Sequence, residues 1–318
     1  MQNKLEQLNE LMWGYRAART LHVLVGLKVF THLREGIKTT DQLAADCRVD
    51  LALLEKLLIA GAAMGLLSKD GSAWRNTALS DDYLVEGKPL YQGNIINHAA
   101  RVWDVWSDLP AKAGLVKHSD DNAPAAHRNF ILGMHNITLA GRGDLFLEAV
   151  DLSGRKNLLD IGGGPGTYSI LACQHYPALR STVFDLPETV AIACEVIAAH
   201  GLSDRIAVRP GSWETDAFGS GFDAALLSNV LHGPASQAAM KLKKAFSALH
   251  PGGLLAVQEF LMTDDKTGPL LPALFNVMVG AYSRAELTAE IDAAGFKEIR
   301  LVGKNDAIGS AWLTAIRS

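Results

Sequence analysis

Several things are scarce or missing in this chain. Cysteine occurs only three times in 318 residues, as Cys47, Cys173 and Cys194, and no two of these form a C-x-x-C pair. Such thiols read as small buried hydrophobes in a reducing compartment. No apolar run reaches the roughly 18 residues needed to span a bilayer. The opening "MQNKLEQLNELMWGYR" lacks the apolar core and small-residue site of a secretory leader, so a cytoplasmic location is expected. There is no excess of one charge: 30 Lys and Arg stand against 34 Asp and Glu, a net of -4, which gives no sign of a chain that wraps nucleic acid. No clustered set of His, Asp and Glu argues for a metal, and no repeat or low-complexity tract is present.

What remains is an ordinary globular composition, 48% apolar, in a chain long enough for about two domains. The pattern changes near residue 150. Up to there it is helical almost throughout: "LNELMWGYRAARTLHVLVGLKVFTHL" places apolar residues at three- and four-residue steps. In "TTDQLAADCRVDLALLEKLLIAGAAMGLL", Thr39 or Thr40 is a candidate N-cap and a second helix is expected from Leu51 to Met64. "GLLSKDGSAWRNT" then carries a hairpin signal, and helix, turn, helix, hairpin is the order of a winged helix. From Lys156 apolar strands alternate with helices: "NLLDI", "STVFDL", "IAVRPG", "FDAALLSNV" and "LLAVQEFLM", which predicts a parallel sheet covered on both faces. "EIRLVG" and "SAWLTAI" have no strong helix between them and are expected to close the sheet as an antiparallel pair. The expected division is a helical domain over 1–150 and an α/β, Rossmann-like domain over 151–318, joined at "DLSG".

The turn after the first strand, "DIGGGPGTYS", poses the functional question. A phosphate loop would need a lysine after the glycines, and none is there. A dinucleotide fingerprint counted from Gly162 or Gly164 would need its last glycine at Thr167 or Ser169, and both fail. The spacing is D-x-G-x-G-x-G, from Asp160 through Gly162, Gly164 and Gly166. A carboxylate at a strand end can receive an ammonium group, and glycines let a ligand approach the backbone. Asp185 ends the next strand, placed to accept both hydroxyls of a ribose or to cap the helix beginning at Pro187. In "RPGSWE", Gly211 and Ser212 turn the chain, Trp213 could cover an adenine face, and the Ser212 hydroxyl could lie near the ring edge. Ser228 and His232 follow the fourth strand in "LLSNVLHGPAS", and Glu259 ends the fifth; an imidazole there can take a proton and a carboxylate can fix its tautomer.

In this order and spacing, "LDIGGGPGTYSILA", "VFDLPETV", "LLSNVLH", "HPGGLLAVQEFLM" and "RAELTAEIDAAGF" resemble the two-domain small-molecule O-methyltransferases of the caffeic-acid, acetylserotonin and polyketide-tailoring kind, over nearly the whole chain. The resemblance implies a Rossmann-like class I methyltransferase domain with a seven-stranded mixed sheet, preceded by a winged-helix domain that forms a homodimer. It implies S-adenosylmethionine as cofactor, leaving as S-adenosylhomocysteine, on Asp160, Gly162, Gly164, Asp185 and Leu186, with Gly211, Ser212, Trp213 and Ser228 nearby. His232 matches the base and Glu259 a flanking carboxylate. Phe130, Met134 and Asn276 fall in acceptor-pocket segments, and Trp103 and His135 are further candidates for a small, aromatic acceptor. There are three departures from the family pattern: Gly233 and Pro234 replace an Asp-Trp pair, Ser212 replaces an acidic residue, and Ala281 stands where plant members carry a second glutamate. An acceptor that ionises easily, an acidic phenol or a thiol, would need less help from a base. Two alternatives stand beside this reading. One is a relative that keeps the cofactor but catalyses non-methylating chemistry. The other is a DNA-binding regulator; against it, "LALLEKLLIAGAAMGLL" is almost wholly apolar, and residues 1–110 hold 12 Lys and Arg against 13 Asp and Glu.

Overall fold

The computed structural model describes residues 4–115 and 123–318. They group into two compact units, 4–115 with 262–279 and 123–261 with 280–318. The sequence reading divided the chain once, at 150; the grouping places 123–150 with the second unit and returns 262–279 to the first.

In the first unit, Thr39 is the N-cap of the helix Thr40–Cys47, in a capping box with Gln42: Gln42 N–H donates to Thr39 Oγ1 at 3.3 Å and Thr39 N–H to Gln42 Oε1 at 2.9 Å. Asp50 caps the next helix, Leu51–Ala63, by accepting from Leu53 N–H at 2.9 Å. That helix buries Leu54, Leu57, Leu58, Ile59, Ala60 and Gly61 within its own unit, against Tyr15–Gly26, Thr40–Cys47, Leu270–Met278 and the first strand of the hairpin. The hairpin pairs β2 (Leu67–Asp70) with β3 (Ala73–Asn76), and β1 (Lys38–Thr39) adds to β3, in the order β1-β3-β2. Its turn is Gly71 and Ser72, while Lys69 and Asp70 belong to the strand. No helix among the described residues is long and apolar enough to cross a membrane.

The second unit is built on a mixed sheet: β4 (Asn157–Ile161), β5 (Arg180–Asp185), β6 (Ile206–Pro210), β7 (Phe222–Ser228), β8 (Leu249–Met262), β9 (Tyr282–Ser283), β10 (Phe296–Asn305) and β11 (Ser310–Arg317). Its order is β10-β11-β8-β7-β4-β5-β6, and the two-residue β9 pairs with β8 beside this seven-strand path. β4 to β8 are parallel; β11 runs antiparallel to β8, and β10 to β11. Alternation sends Leu158 to one core layer, with Val183, Ile170 and Ile197, and Leu159 and Ile161 to the other, with Phe184, Leu227 and Leu242. The direction of winding reverses between β4 and β7, which opens a crevice at the carboxyl ends of these strands. Cys173 is buried and Cys47 half-buried, but Cys194 is exposed: on Pro187–Ala199 the inward positions are 189, 190, 192, 193, 196 and 197, and 194 lies outside that stripe.

Candidate active site at the carboxyl edge of the sheet

The chain leaves β4 at Ile161 and turns at once through Gly162 and Gly164, both left-handed, with φ of 65° and 56°. A side chain at Gly162 would stand 2.8 Å from Val230 Cγ1 and 3.3 Å from Trp213 Cζ3, so glycine is needed for space as well as for conformation. Asp160 lies beneath this loop, 1% exposed, with Ser169 Oγ donating to its Oδ2 at 2.7 Å. Burial pushes its carboxyl up to about 7, and the nearby Asp185 carboxylate adds to the effect.

Asp185 ends β5. Its Oδ2 accepts from Gly164 N–H at 2.8 Å and its Oδ1 from Leu186 N–H at 2.7 Å. Burial raises its carboxyl, while these amides, the Thr189 hydroxyl and His127 act the other way. Asp185 is not the cap of the following helix: that position is Leu186, partly exposed, with Pro187 in the first turn. Asp185 instead ties the glycine loop to its own strand.

At the end of β6, Gly211 N–H donates to Asp185 O at 2.9 Å, and any side chain on Gly211 would meet the Phe184 ring at 2.5 Å. The Ser212 hydroxyl accepts from Glu214 N–H at 3.2 Å and so closes its own turn. Trp213 stands against the glycine loop with the Lys241 ammonium 4.0 Å from its ring centroid. Lys241 is 3% exposed and donates to Val230 O at 2.6 Å.

Ser228, the last residue of β7, sits in register with Gln258, four residues short of the end of β8. Gln258 is wholly buried; its Oε1 receives Ser228 Oγ at 2.6 Å and Tyr168 OH at 2.7 Å, and its Nε2 donates to Ser310 Oγ at 2.9 Å. Asn229 follows with φ of 53°, and its buried Oδ1 meets no hydrogen-bond partner among the described residues. Beside this network stands Arg142, its guanidinium 5.1 Å from the Phe260 ring, with no carboxylate against it among the described residues. Burial lowers its pKa, partly offset by Tyr168.

Three residues beyond Asn229, His232 Nδ1 lies 3.2 Å from Glu259 Oε2. Glu259 is 2% exposed, and its other oxygen accepts from Leu231 N–H at 2.7 Å. The two departures from the family pattern in this region are neighbours in space. Gly233, with φ of 77°, lies against the backbone of Gly280 and Ala281: a side chain at 233 would come within 3.0 Å of Ala281 N, and one at Gly280 within 2.6 Å of His232 O. An aspartate at 233 would have to adopt a left-handed backbone and push the Gly280–Ala281 backbone away by a few tenths of an ångström. Glu259 is the carboxylate that this site presents to the imidazole.

The acceptor candidates divide. Met134 and His135 are on the helix Ala123–Ile137 of the second unit, and Phe130, on the same helix, is 60% exposed. His135 is engaged with the loop helix, its Nδ1 2.9 Å from Thr167 Oγ1. Trp103 and Asn276 belong to the first unit. There the Trp103 ring meets the edge of His22 and the Arg19 guanidinium, and Asn276 is buried.

The sequence reading missed Arg142, Tyr168, Gln258 and Thr189. Only Gln258 left a trace, as an amide inside the apolar run of β8, whose burial demands partners.

The residues of the crevice fit S-adenosylmethionine. A buried carboxylate is available for an ammonium, a second for two sugar hydroxyls, an uncommitted guanidinium for a carboxylate, and an orphaned Asn229 oxygen for a donor. The glycine loop brings no lysine that would favour phosphate.

Comparison with known proteins agrees. Residues 114–297 match the O-methyltransferase domain, and residues 9–86 the O-methyltransferase dimerisation domain. The chain is 35% identical over 315 residues to 3-hydroxy-5-methyl-1-naphthoate 3-O-methyltransferase of Streptomyces sahachiroi, covering 93% of this chain and 90% of that one. It is 29% identical over 327 residues to the N,N-dimethyltransferase OxyT of Streptomyces rimosus, covering 96% and 94%. The crystal structure of an O-methyltransferase family 2 protein from Planctomyces limnophilus, in complex with apigenin, superimposes with a TM-score of 0.82 at 28% identity, over 100% of this chain and 97% of that one. With the glycine loop, the paired aspartates and the sheet order in place, the chain belongs to the S-adenosylmethionine-dependent small-molecule O-methyltransferases that carry this dimerisation domain.

Proposed function

We propose that this protein methylates a hydroxyl of a small aromatic molecule, with His232 as the base and Glu259 as the group that orients it. The observation that carries the reading is the His232–Glu259 contact at 3.2 Å, with the far oxygen of Glu259 fixed by Leu231 N–H. A buried, ionised carboxylate accepts only, so the ring hydrogen sits on Nδ1 and Nε2 keeps its lone pair. A phenol has a pKa of about 10 and stays protonated at neutral pH. Nε2 can take that proton as the oxygen attacks, and Glu259 then balances the imidazolium. Asp160 receives the ammonium of the cofactor, Asp185 its ribose hydroxyls, Arg142 its carboxylate, and Trp213 its adenine. When bound, S-adenosylmethionine supplies a methyl group on a positively charged sulfur, already activated for displacement.

Two relatives support a phenolic acceptor: one acts on a hydroxynaphthoate and one was crystallised with apigenin. With glycine at 233 and alanine at 281, an acceptor of low pKa suits the site. The dimerisation domain supports a homodimer, as does the helix Lys4–Trp13, which buries none of its residues and exposes Leu8, Leu11 and Met12; the helix–turn–helix–hairpin would serve there as a winged helix. The test is release of S-adenosylhomocysteine from a panel of phenols. His232→Ala is expected to slow turnover by about 10²–10⁴-fold on the best of them. Unchanged turnover would remove His232 from the reaction.

A further inference from the structure

The helix Ala238–Ala248 turns positions 238, 241, 242, 245 and 248 into the core, and among the alanines and the leucine of that stripe stands Lys241. A lysine is almost never buried so deeply without partners. Its ammonium has two: the Trp213 ring, 4.0 Å away at the centroid, and Val230 O, to which Nζ donates at 2.6 Å. Val230 lies past the end of β7, in a stretch, 229–233, that belongs to no strand or helix, so no ladder orients its peptide. The orientation comes from side chains instead. Val230 C=O and Leu231 N–H are the two ends of one peptide group. While the oxygen accepts from Lys241, the N–H donates to Glu259 Oε1 at 2.7 Å, and Glu259 Oε2 lies 3.2 Å from His232 Nδ1. Cation, peptide, carboxylate and imidazole are linked in series. The peptide dipole is favourably placed at both ends, its oxygen toward the ammonium and its N–H toward the carboxylate, and such bonds in a chain strengthen one another. Leu231 is wholly buried and Glu259 is 2% exposed, so water is not at hand to replace a lost partner.

We propose that Lys241 is a positioning residue for the catalytic pair: by fixing the Val230–Leu231 peptide, it holds Glu259 in the orientation that presents its other oxygen to His232. The inference rests on the reading of His232 as the base. An apolar side chain of similar length would fill the same space, but it would leave Val230 O without this donor and let the peptide turn, drawing its N–H away from Glu259. The turn that carries Trp213 does not depend on Lys241 alone. Lys244, three residues on, donates to the carbonyls of Trp213, Glu214 and Asp216.

The test is S-adenosylhomocysteine release by the full chain at saturating cofactor, with two acceptors: the best phenol of pKa about 10, and a nitro-substituted analogue of it with pKa about 7, largely ionised at about pH 8. Lys241→Met is expected to lower kcat about ten-fold on the first, the effect of a lost hydrogen bond to a charged group. On the second, which attacks without a base, the loss is expected to shrink to about two-fold. In a Glu259→Gln background Lys241→Met is expected to cost no more than about two-fold further, because the link that it supports is already gone. Lys241→Gln, a shorter neutral donor, gives the same pattern should Lys241→Met not fold. A loss equal on both phenols, or one that multiplies in full with Glu259→Gln, marks a general packing role and overturns the inference while leaving the base reading intact. A kcat on the first phenol that stays at the wild-type value does the same. If Glu259→Gln itself leaves kcat unchanged, both readings fall.

Discussion

In Glu259→Gln the side chain keeps its shape, and one oxygen can still receive Leu231 N–H, but the atom facing His232 Nδ1 becomes an amide NH₂. Two donors cannot face each other across 3.2 Å. The ring must either move its hydrogen to Nε2, the atom needed as base, or the amide must turn and leave the buried Leu231 N–H unpaired, at a cost of about 1–3 kcal/mol. The charge matters as well. At an effective dielectric of about 20, a pair at this distance attracts by roughly 5 kcal/mol. The His232 side chain is 27% exposed, so about half of that is a realistic loss, and kcat should fall about 10²-fold. The assay is S-adenosylhomocysteine release with a phenolic acceptor, separating kcat from KM. KM should change little, and the deficit should narrow toward pH 9.5, where the phenol ionises without help. A kcat within two-fold of the wild type, or a deficit as deep at pH 9.5 as at pH 7, would refute the assignment of Glu259 and the base mechanism with it.

Two further outcomes follow from the same site. Arg142→Met should weaken binding of S-adenosylhomocysteine by about 10–100-fold, the worth of a hydrogen bond to a charged group, with little change in melting temperature; calorimetry that finds equal affinity would take Arg142 out of the site. Asp160 has a folded-state value raised to about 7 from an ordinary carboxylate value, so the folded protein holds its proton more tightly than the unfolded chain. Its contribution therefore favours folding below about pH 4, declines as pH rises toward 7 and is flat beyond. Asp160→Asn should remove that decline: its melting temperature relative to the wild type should be higher at pH 8 than at pH 5, and a constant difference would contradict the burial argument.

The sheet was legible because its signals are local. Each strand is a short apolar run, the alternation with helices implies parallel pairing, and the glycine spacing marks the turn where a ligand enters. Asp185 could be placed at the carboxyl edge because it ends its strand, and Asp160 stands one residue short of the end of its own; the sequence puts Glu259 at the end of the fifth strand, but that strand runs on to Met262. What escaped depends on groups far apart in the chain. Gln258 is held by Tyr168, Ser228 and Ser310, none of which flags it. Arg142 follows Gly141, whose φ of 122° breaks the helix and swings the next residue toward Phe260; a kink of that kind has no periodicity to betray it. Ser212 and His135, expected as ligand contacts, also hold a turn and a helix, a role the sequence could not show because a hydroxyl or an imidazole carries no mark of which partner it will find. The departure at Gly233 looked like a loss, yet it makes room for the backbone at Gly280 and Ala281.

The helix Leu270–Met278 lies more than two hundred residues beyond the helix Leu51–Ala63 on which it packs, and both belong to the first unit. During synthesis the amino-terminal half must therefore wait, with one side of a very oily helix uncovered, until nearly the entire chain has left the ribosome. An engineer wishing to exchange the front half of this enzyme for that of a relative would have to transplant two stretches of polypeptide, because a single splice near the middle would strand the donor's helix without the lid it was built to receive.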